Sequence, residues 1–306
     1  MLALLFPGQG SQRSGMGAPW QDHPAWSVVA RLGDATGRDV AGLLVDASAE
    51  ELKATRNSQL ATYSLSLVVL EAARSAGLDP GAAVAAAGHS LGEYTALVAA
   101  GALTPEEGAR LVAERGEAMQ AAAEVEPGTM AAVLGLDTDA VARACDGVDG
   151  AWVANDNAPG QIVVSGTAEG VAAASARAQE LGAKRVMALP VGGAFHTPLM
   201  GPAQGRLDRT LQATAFGATT TPVVANVDAA AHRDGWAELL ARQLVSPVRW
   251  RESLLALADL GATSFLELGP GAELSGMVKR TVDGARRANL ATPDGLEGLA
   301  GFLEGR

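Results

Sequence analysis

The stretch Gly88-His89-Ser90-Leu91-Gly92 constrains the fold more than any other five residues of this chain. It reads G-x-S-x-G, the pattern of a sharp turn between a strand and a helix. The apolar run Ala83-Val84-Ala85-Ala86-Ala87 before it is short, as a buried parallel strand is, and Glu93 to Ala100 after it reads as the first turns of a helix. A serine on such a turn is lifted out of the sheet, with backbone N–H groups and a helix N-terminus facing its oxygen. Glycine is needed on both sides because a side chain at either place would crowd the turn. Ser90 is therefore a candidate nucleophile, weighed against a structural turn serine.

Strand signals followed by helical patterns begin at residue 2, which gives an α/β fold class. Asn57 is placed to cap a helix running through Leu60, Tyr63, Leu67 and Leu70 to a stop at Gly77. Thr104-Pro105-Glu106-Glu107 is a capping box with proline at the first helical position, opening a helix to about Ala123. The middle of the chain changes rhythm. Strands are expected at Met130–Leu134, Ala151–Asn155, Gln161–Ser165 and Arg185–Leu189, with helices at Thr138–Cys145 and Ala168–Leu181. That β-α-β-β-α-β order is the ferredoxin-like pattern, and it reads as a small subdomain (residues 126–192) inserted into a large α/β-hydrolase-like domain with a parallel sheet (residues 1–125 and 193–306). The large fold resumes with a helix start at Thr197-Pro198, a strand at Pro222–Ala225 and another at Ser264–Leu268. The cleft between the two parts is the natural ligand site.

Composition narrows the function. The 306 residues are 48% apolar, enough for a sizeable core, and the one cysteine, Cys145, excludes an internal disulfide or a multi-cysteine metal site. Leu2-Ala3-Leu4-Leu5-Phe6 is too short for a signal sequence, lacks a basic flank and runs into Pro7-Gly8. No apolar run approaches the length of a membrane span, so the chain reads as cytoplasmic with no membrane partner. A net charge of −11 argues against nucleic acid. Between residues 240 and 287 basic side chains exceed acidic ones, a feature that fits an acidic partner, phosphates or simply a mixed solvated surface.

A serine hydroxyl needs a base. His89 adjoins Ser90, but consecutive residues on a tight turn point apart, and His23 and His232 lie in polar, loop-like segments. His196, in Gly192-Gly193-Ala194-Phe195-His196-Thr197-Pro198, sits where the inserted module returns and a helix begins; it is the candidate general base. No acid stands out for a third position, and a backbone carbonyl can orient the imidazole instead. Arg115 lies on the apolar face of its helix with Leu111, Val112, Ala118 and Met119 three or four residues away. An arginine there either snorkels to water, joins a structural ion pair, or meets an anion such as a substrate carboxylate through two parallel bonds. Pro7-Gly8-Gln9-Gly10-Ser11-Gln12 follows the first strand, on the same sheet edge as Ser90, and its N–H groups can complete an oxyanion hole with the amide of Leu91. A phosphate loop is the rival reading, but the lysine and Ser/Thr that end one are missing.

Together with Glu93-Tyr94, Arg115-Gly116, Phe195-His196, Asn226-Val227-Asp228, Gln243-Leu244, Pro247-Val248 and Gly269-Pro270-Gly271, these motifs make the chain resemble the malonyl-CoA:acyl-carrier-protein transacylases over almost its whole length. The resemblance implies that Ser90 carries the malonyl group as an ester, with His196 as base. It implies that Arg115 holds the malonyl carboxylate and that the amides of Gln9 and Leu91 form the oxyanion hole. The segment at Gln243 would orient His196 and line the pocket. Phe195 resembles members selective for malonyl, serine there those accepting a methyl branch. The implied substrates are malonyl-CoA and acyl carrier protein, with no cofactor beyond the coenzyme A thioester itself. Two rivals remain at this point: a serine thioesterase of the α/β-hydrolase type, which passes the acyl group to water, and a non-catalytic carrier-binding subunit.

Overall fold

The computed structural model describes residues 1–305. The first stretch runs β1 (Leu2–Phe6), α1 (Ser27–Thr36), α2 (Val40–Val45), α3 (Thr55–Ser75), β2 (Ala85–Gly88), α4 (Gly92–Ala99) and α5 (Pro105–Val125). The second runs β3 (Thr129–Leu134), α6 (Thr138–Cys145), β4 (Ala151–Ala158), β5 (Gln161–Gly166), α7 (Ala168–Glu180) and β6 (Arg185–Ala188). The third runs α8 (Gly201–Ala213), β7 (Val223–Val224), β8 (Ala231–His232), α9 (Trp236–Gln243), α10 (Trp250–Asp259), β9 (Ser264–Leu268), α11 (Glu273–Thr281), β10 (Arg286–Leu290) and α12 (Leu296–Leu303).

The first and third stretches share one six-stranded sheet in the order β10-β9-β1-β2-β7-β8. Its pairings are parallel except at the edge, where β8 runs antiparallel to β7, so the expected parallel sheet is mixed. Side chains alternate across a strand, and β1 shows the consequence. Leu4 and Phe6 enter one apolar cluster with α3 and α5, while Ala3 and Leu5 enter another with Trp250 and Leu254 of α10. A strand buried on both faces has to be apolar throughout, which is why β1 and β2 carry no polar side chain.

The second stretch forms its own antiparallel sheet, ordered β4-β5-β3-β6, with a separate core of Val133, Val141, Ile162, Val164 and Ala174 under α6 and α7. Helix α5 opens where the sequence places it. Thr104 Oγ1 accepts from the backbone N–H of Glu107 and Glu107 returns the contact to Thr104 N–H at 2.8 Å. Other boundaries differ. The strand expected at Ala83–Ala87 is shifted to Ala85–Gly88, because residues 80–82 form a short 3-10 turn capped by Asp79. Asn57 is not a cap: α3 begins at Thr55, and the Asn57 amide instead donates to Glu51 O and accepts from Arg38. The helix at Thr197-Pro198 starts as a 3-10 turn before α8, and the strand at Pro222–Ala225 is reduced to Val223–Val224.

Candidate active site

Strands β1 and β2 are parallel neighbours, so the loops leaving their carboxyl ends abut. Both elbow glycines are sterically required. A Cβ on Gly88 would lie 1.9 Å from the Gly92 carbonyl carbon, and one on Gly92 would lie 2.0 Å from Phe6 O. Gly8 is equally pinned, since a Cβ there would fall 2.3 Å from His89 O. Ser90 is held at φ 49°, a left-handed conformation that residues with a side chain rarely adopt. Its amide donates to Asn226 Oδ1 at 2.6 Å, and the Asn226 side chain donates in turn to Gly88 O at 2.8 Å. Among the described residues, nothing accepts a hydrogen bond from the amides of Gln9 and Leu91. The Leu91 amide follows Ser90 directly in the chain, and Gln9 lines the same cavity as Ser90.

His196 faces Ser90. It too sits at positive φ, 60°, and its Nε2 lies 2.8 Å from Ser90 Oγ. Its Nδ1 lies 3.0 Å from the backbone oxygen of Gln243. A carbonyl oxygen only accepts, so Nδ1 carries the proton and Nε2 presents its lone pair to the serine hydroxyl. Burial, reinforced by the nearby Arg115 charge, pushes the His196 pKa down to about 3, so the ring is neutral at pH 7. The position of a triad acid is thus taken by a main-chain carbonyl. His89 is turned away from the serine: its Nε2 meets Asn157 Oδ1 at 2.8 Å and its ring packs edge-on to Trp250.

Arg115 does not snorkel. It is 1% exposed, and its Nη1 donates to Gln59 Oε1 at 2.8 Å. Its Nη2 donates to Ser90 Oγ at 2.9 Å and to Gln243 Oε1 at 3.0 Å, while Nε has no partner. No described carboxylate forms an ion pair with it. Its direct hydrogen-bond partners are neutral; the Tyr94 ring lies 5.6 Å from its Cζ and the Glu93 carboxyl acts on it from farther off, so the cost of desolvating the charge, several kcal/mol, lacks the close anion that offsets it well. The unfilled Nε and the neighbouring Nη2 make one edge of the fork that grips a carboxylate.

A cavity of about 310 Å³ opens above Ser90 between the two sheets. Gln9, Ser90, Phe195 and His196 line one wall, and Met130, Asn155, Asn157 and Val163 of the second sheet line the other. Gln243, expected to line this pocket, lies behind Ser90 instead; both its main chain and its amide face the buried side of the site. Leu91 and Arg115 are likewise buried and do not themselves line the cavity, although Arg115 reaches Ser90 Oγ, which does. Of the basic residues between 240 and 287, Arg242, Arg249 and Arg251 are engaged with Glu238, Glu252 and Asp156, which favours the mixed-surface reading for that segment. Gln59, Glu93 and Asn157 belong to the site's surroundings, and reading the residues assigned none of them a role. A glutamine amid the leucines of α3, and a glutamate amid the apolar residues of α4, were the available signals.

Ser90, a neutral His196 and a buried Arg115 meet in one cleft, an arrangement suited to an acyl transferase. The family model described as acyl transferase domain matches residues 3–296. The malonyl CoA-acyl carrier protein transacylase of Bacillus subtilis is 42% identical over 304 residues, covering 97% of this chain and 95% of the relative. The acyl-carrier-protein S-malonyltransferase of Burkholderia pseudomallei superposes with a TM-score of 0.93 at 38% identity, covering 98% of this chain and 99% of that one. A malonyl-transacylase solved in complex with a type II PKS acyl-carrier protein gives 0.94 at 36% identity, covering 100% and 99%. The chain belongs to the acyl transferase family, among its malonyl-CoA–acyl carrier protein transacylases.

Proposed function

We propose that this protein moves the malonyl group from malonyl-CoA to the pantetheine thiol of acyl carrier protein through a malonyl ester on Ser90. The observation that carries the reading is the convergence on one oxygen. Ser90 Oγ lies 2.8 Å from His196 Nε2 and 2.9 Å from Arg115 Nη2, so nucleophile, base and carboxylate reader share a site.

Ser90 Oγ attacks the thioester carbon and gives its proton to His196 Nε2. The tetrahedral oxyanion is taken by the amides of Gln9 and Leu91. Its collapse breaks the C–S bond, and the proton on His196 passes to the departing CoA sulfur. The carrier thiol then enters. His196 takes its proton, sulfur attacks the ester carbon, and Oγ leaves with that proton. Oxidation states do not change and a thiol is a good leaving group, so the transfer uses no metal or redox cofactor. Arg115 holds the distal carboxylate through Nε and Nη2, trading its bond to Ser90 Oγ for the substrate. Gln243 orients His196 from behind, and Phe195 narrows the cavity beside the malonyl methylene.

The same reading divides the chain into a large α/β-hydrolase-like catalytic domain (1–125 and 193–306) and a ferredoxin-like subdomain (126–192). Support for that division is the separate sheet and core of β3–β6. Cytoplasmic residence goes with a CoA thioester as substrate; no described helix is long and apolar enough to cross a membrane. Intact-mass measurement after brief exposure to malonyl-CoA is the direct test. A malonyl adduct on Ser90 that is discharged by added carrier protein is expected. Steady discharge to water with no carrier dependence would replace the transferase with a thioesterase.

A further inference from the structure

Glu93 is fully buried on α4, one turn beyond the nucleophile, and the transfer chemistry above gives it no task. Its Oε2 accepts two hydrogen bonds, from the backbone N–H of Asn226 at 2.9 Å and from Gln243 Nε2 at 3.0 Å. Those two residues hold Ser90 at both of its backbone groups. Asn226 Oδ1 accepts from Ser90 N–H, and Gln243 Nε2 donates to Ser90 O at 2.9 Å. A serine kept at φ 49° persists only where its surroundings over-determine it. Both restraints converge on one glutamate oxygen.

The same oxygen joins Ser90 O and Arg115 Nη2 in fixing which way the Gln243 amide points. An acceptor at Glu93 draws Nε2 toward it, which leaves Oε1 facing Arg115 Nη2. The reversed amide would set NH2 against the guanidinium, donor against donor. We propose that Glu93 is the positioning residue of this site, its Oε2 fixing Asn226 and Gln243 so that Ser90 and Arg115 are held in their reactive geometry. This rests on reading Ser90 as the acylated nucleophile.

Burial pushes the Glu93 pKa up to about 7, against the lowering effects of the Asn226 and Gln243 hydrogen bonds and the Arg115 charge. A carboxyl oxygen accepts both bonds whether the group is protonated or ionised, so the placement of the oxygen matters and the charge does not. Two conservative variants separate these. Glu93→Gln keeps an acceptor oxygen in place and removes the acid. Glu93→Asp keeps the acid and withdraws the oxygen by one methylene.

The readouts are the rate of Ser90 acylation at saturating malonyl-CoA and the rate of Ser90 labelling by a fluorophosphonate, which has no carboxylate for Arg115; both are normalised to folded protein. Glu93→Gln should stay within about threefold of wild type in both. Glu93→Asp should lose about 10²-fold in both, the scale of an ångström's misplacement of a reacting group. A purely structural role predicts lowered melting temperatures with unchanged rates per folded molecule, and that result would overturn the proposal. So would an aspartate variant as fast as the glutamine one. If Glu93→Asp does not fold, Glu93→Gln decides alone: a folded variant slowed tenfold or more refutes the acceptor role. Wild-type protein that labels at neither rate would overturn the nucleophile assignment itself.

Discussion

At the scale of single residues, the site makes four claims that kinetics can check. Ser90→Ala should abolish the malonyl adduct and transfer with the fold intact; an equal adduct on the variant would move the nucleophile elsewhere. His196→Ala should slow acylation by roughly 10²–10⁴-fold, the usual contribution of a positioned base, while His89→Ala, which loses only a bond to Asn157, should be milder. Because the folded-state pKa of His196 is depressed to about 3, its base form persists well below the ordinary imidazole range. The kcat/KM for malonyl-CoA should therefore stay flat from pH 8 to about pH 5.5, and an inflection near 6.5 that persists in Glu93→Gln would contradict the buried, neutral ring. Arg115→Ala should change the choice of acyl group. Leaving a buried carboxylate without its partner costs about 3–5 kcal/mol, or roughly 10²–10⁴-fold in kcat/KM for malonyl-CoA, while acetyl-CoA, which never made the pair, should hold or gain. Parallel losses for the two thioesters would mark Arg115 as structural.

Elements show what local sequence can and cannot specify. The capping box at Thr104 and the elbow glycines were legible because each involves residues within four positions of one another. Thr104→Ala should destabilise the protein by about 1 kcal/mol, lowering Tm by about 2–4 °C without touching kcat. Gly88→Ala, whose methyl would collide with backbone of Gly92, should yield misfolded or inactive protein, and a folded, active variant would mean the elbow relaxes more easily than its geometry suggests. The cap assigned to Asn57 failed for a complementary reason. Asn57 fits the cap pattern locally, but Arg38 and Glu51 claim its amide from outside the helix. Most of the support for Ser90 was illegible on the same grounds. Asn226 and Gln243 lie 136 and 153 positions from it in sequence, and only folding brings them to its amide and carbonyl. Ser90 and His196 could be picked from the residues; the orienting role of Gln243 came from resemblance alone, and its place behind the site rather than in the cavity came only with the structure.

For the whole molecule, two buried groups make stability depend on pH in opposite senses. Glu93 has a raised folded-state pKa, so its contribution is fully present below the unfolded value of 4.5 and is lost as pH rises through about 7. His196 has a depressed one, so the unfolded chain binds more protons between about 3 and 6.5 and stability rises with pH across that window. Glu93→Gln removes only the first effect. Its Tm relative to wild type should climb by about 3 °C or more from pH 5 to pH 8; a difference independent of pH would show that Glu93 does not titrate there. The second sheet bears on the molecule in another way. Its chain leaves and returns where Gly128 and Ala194 touch, so that a Cβ on the first would lie 2.5 Å from that of the second. Farther along, Asp156 is bonded to Arg251 and, through its amide, to Val248 O, and Asn157 is bonded to His89. A jaw pinned at one point swings; one pinned at several separate points does not. The slot above Ser90 therefore lies between two parts tied together on more than one side, and its walls are bolted to each other rather than hinged on a single loop.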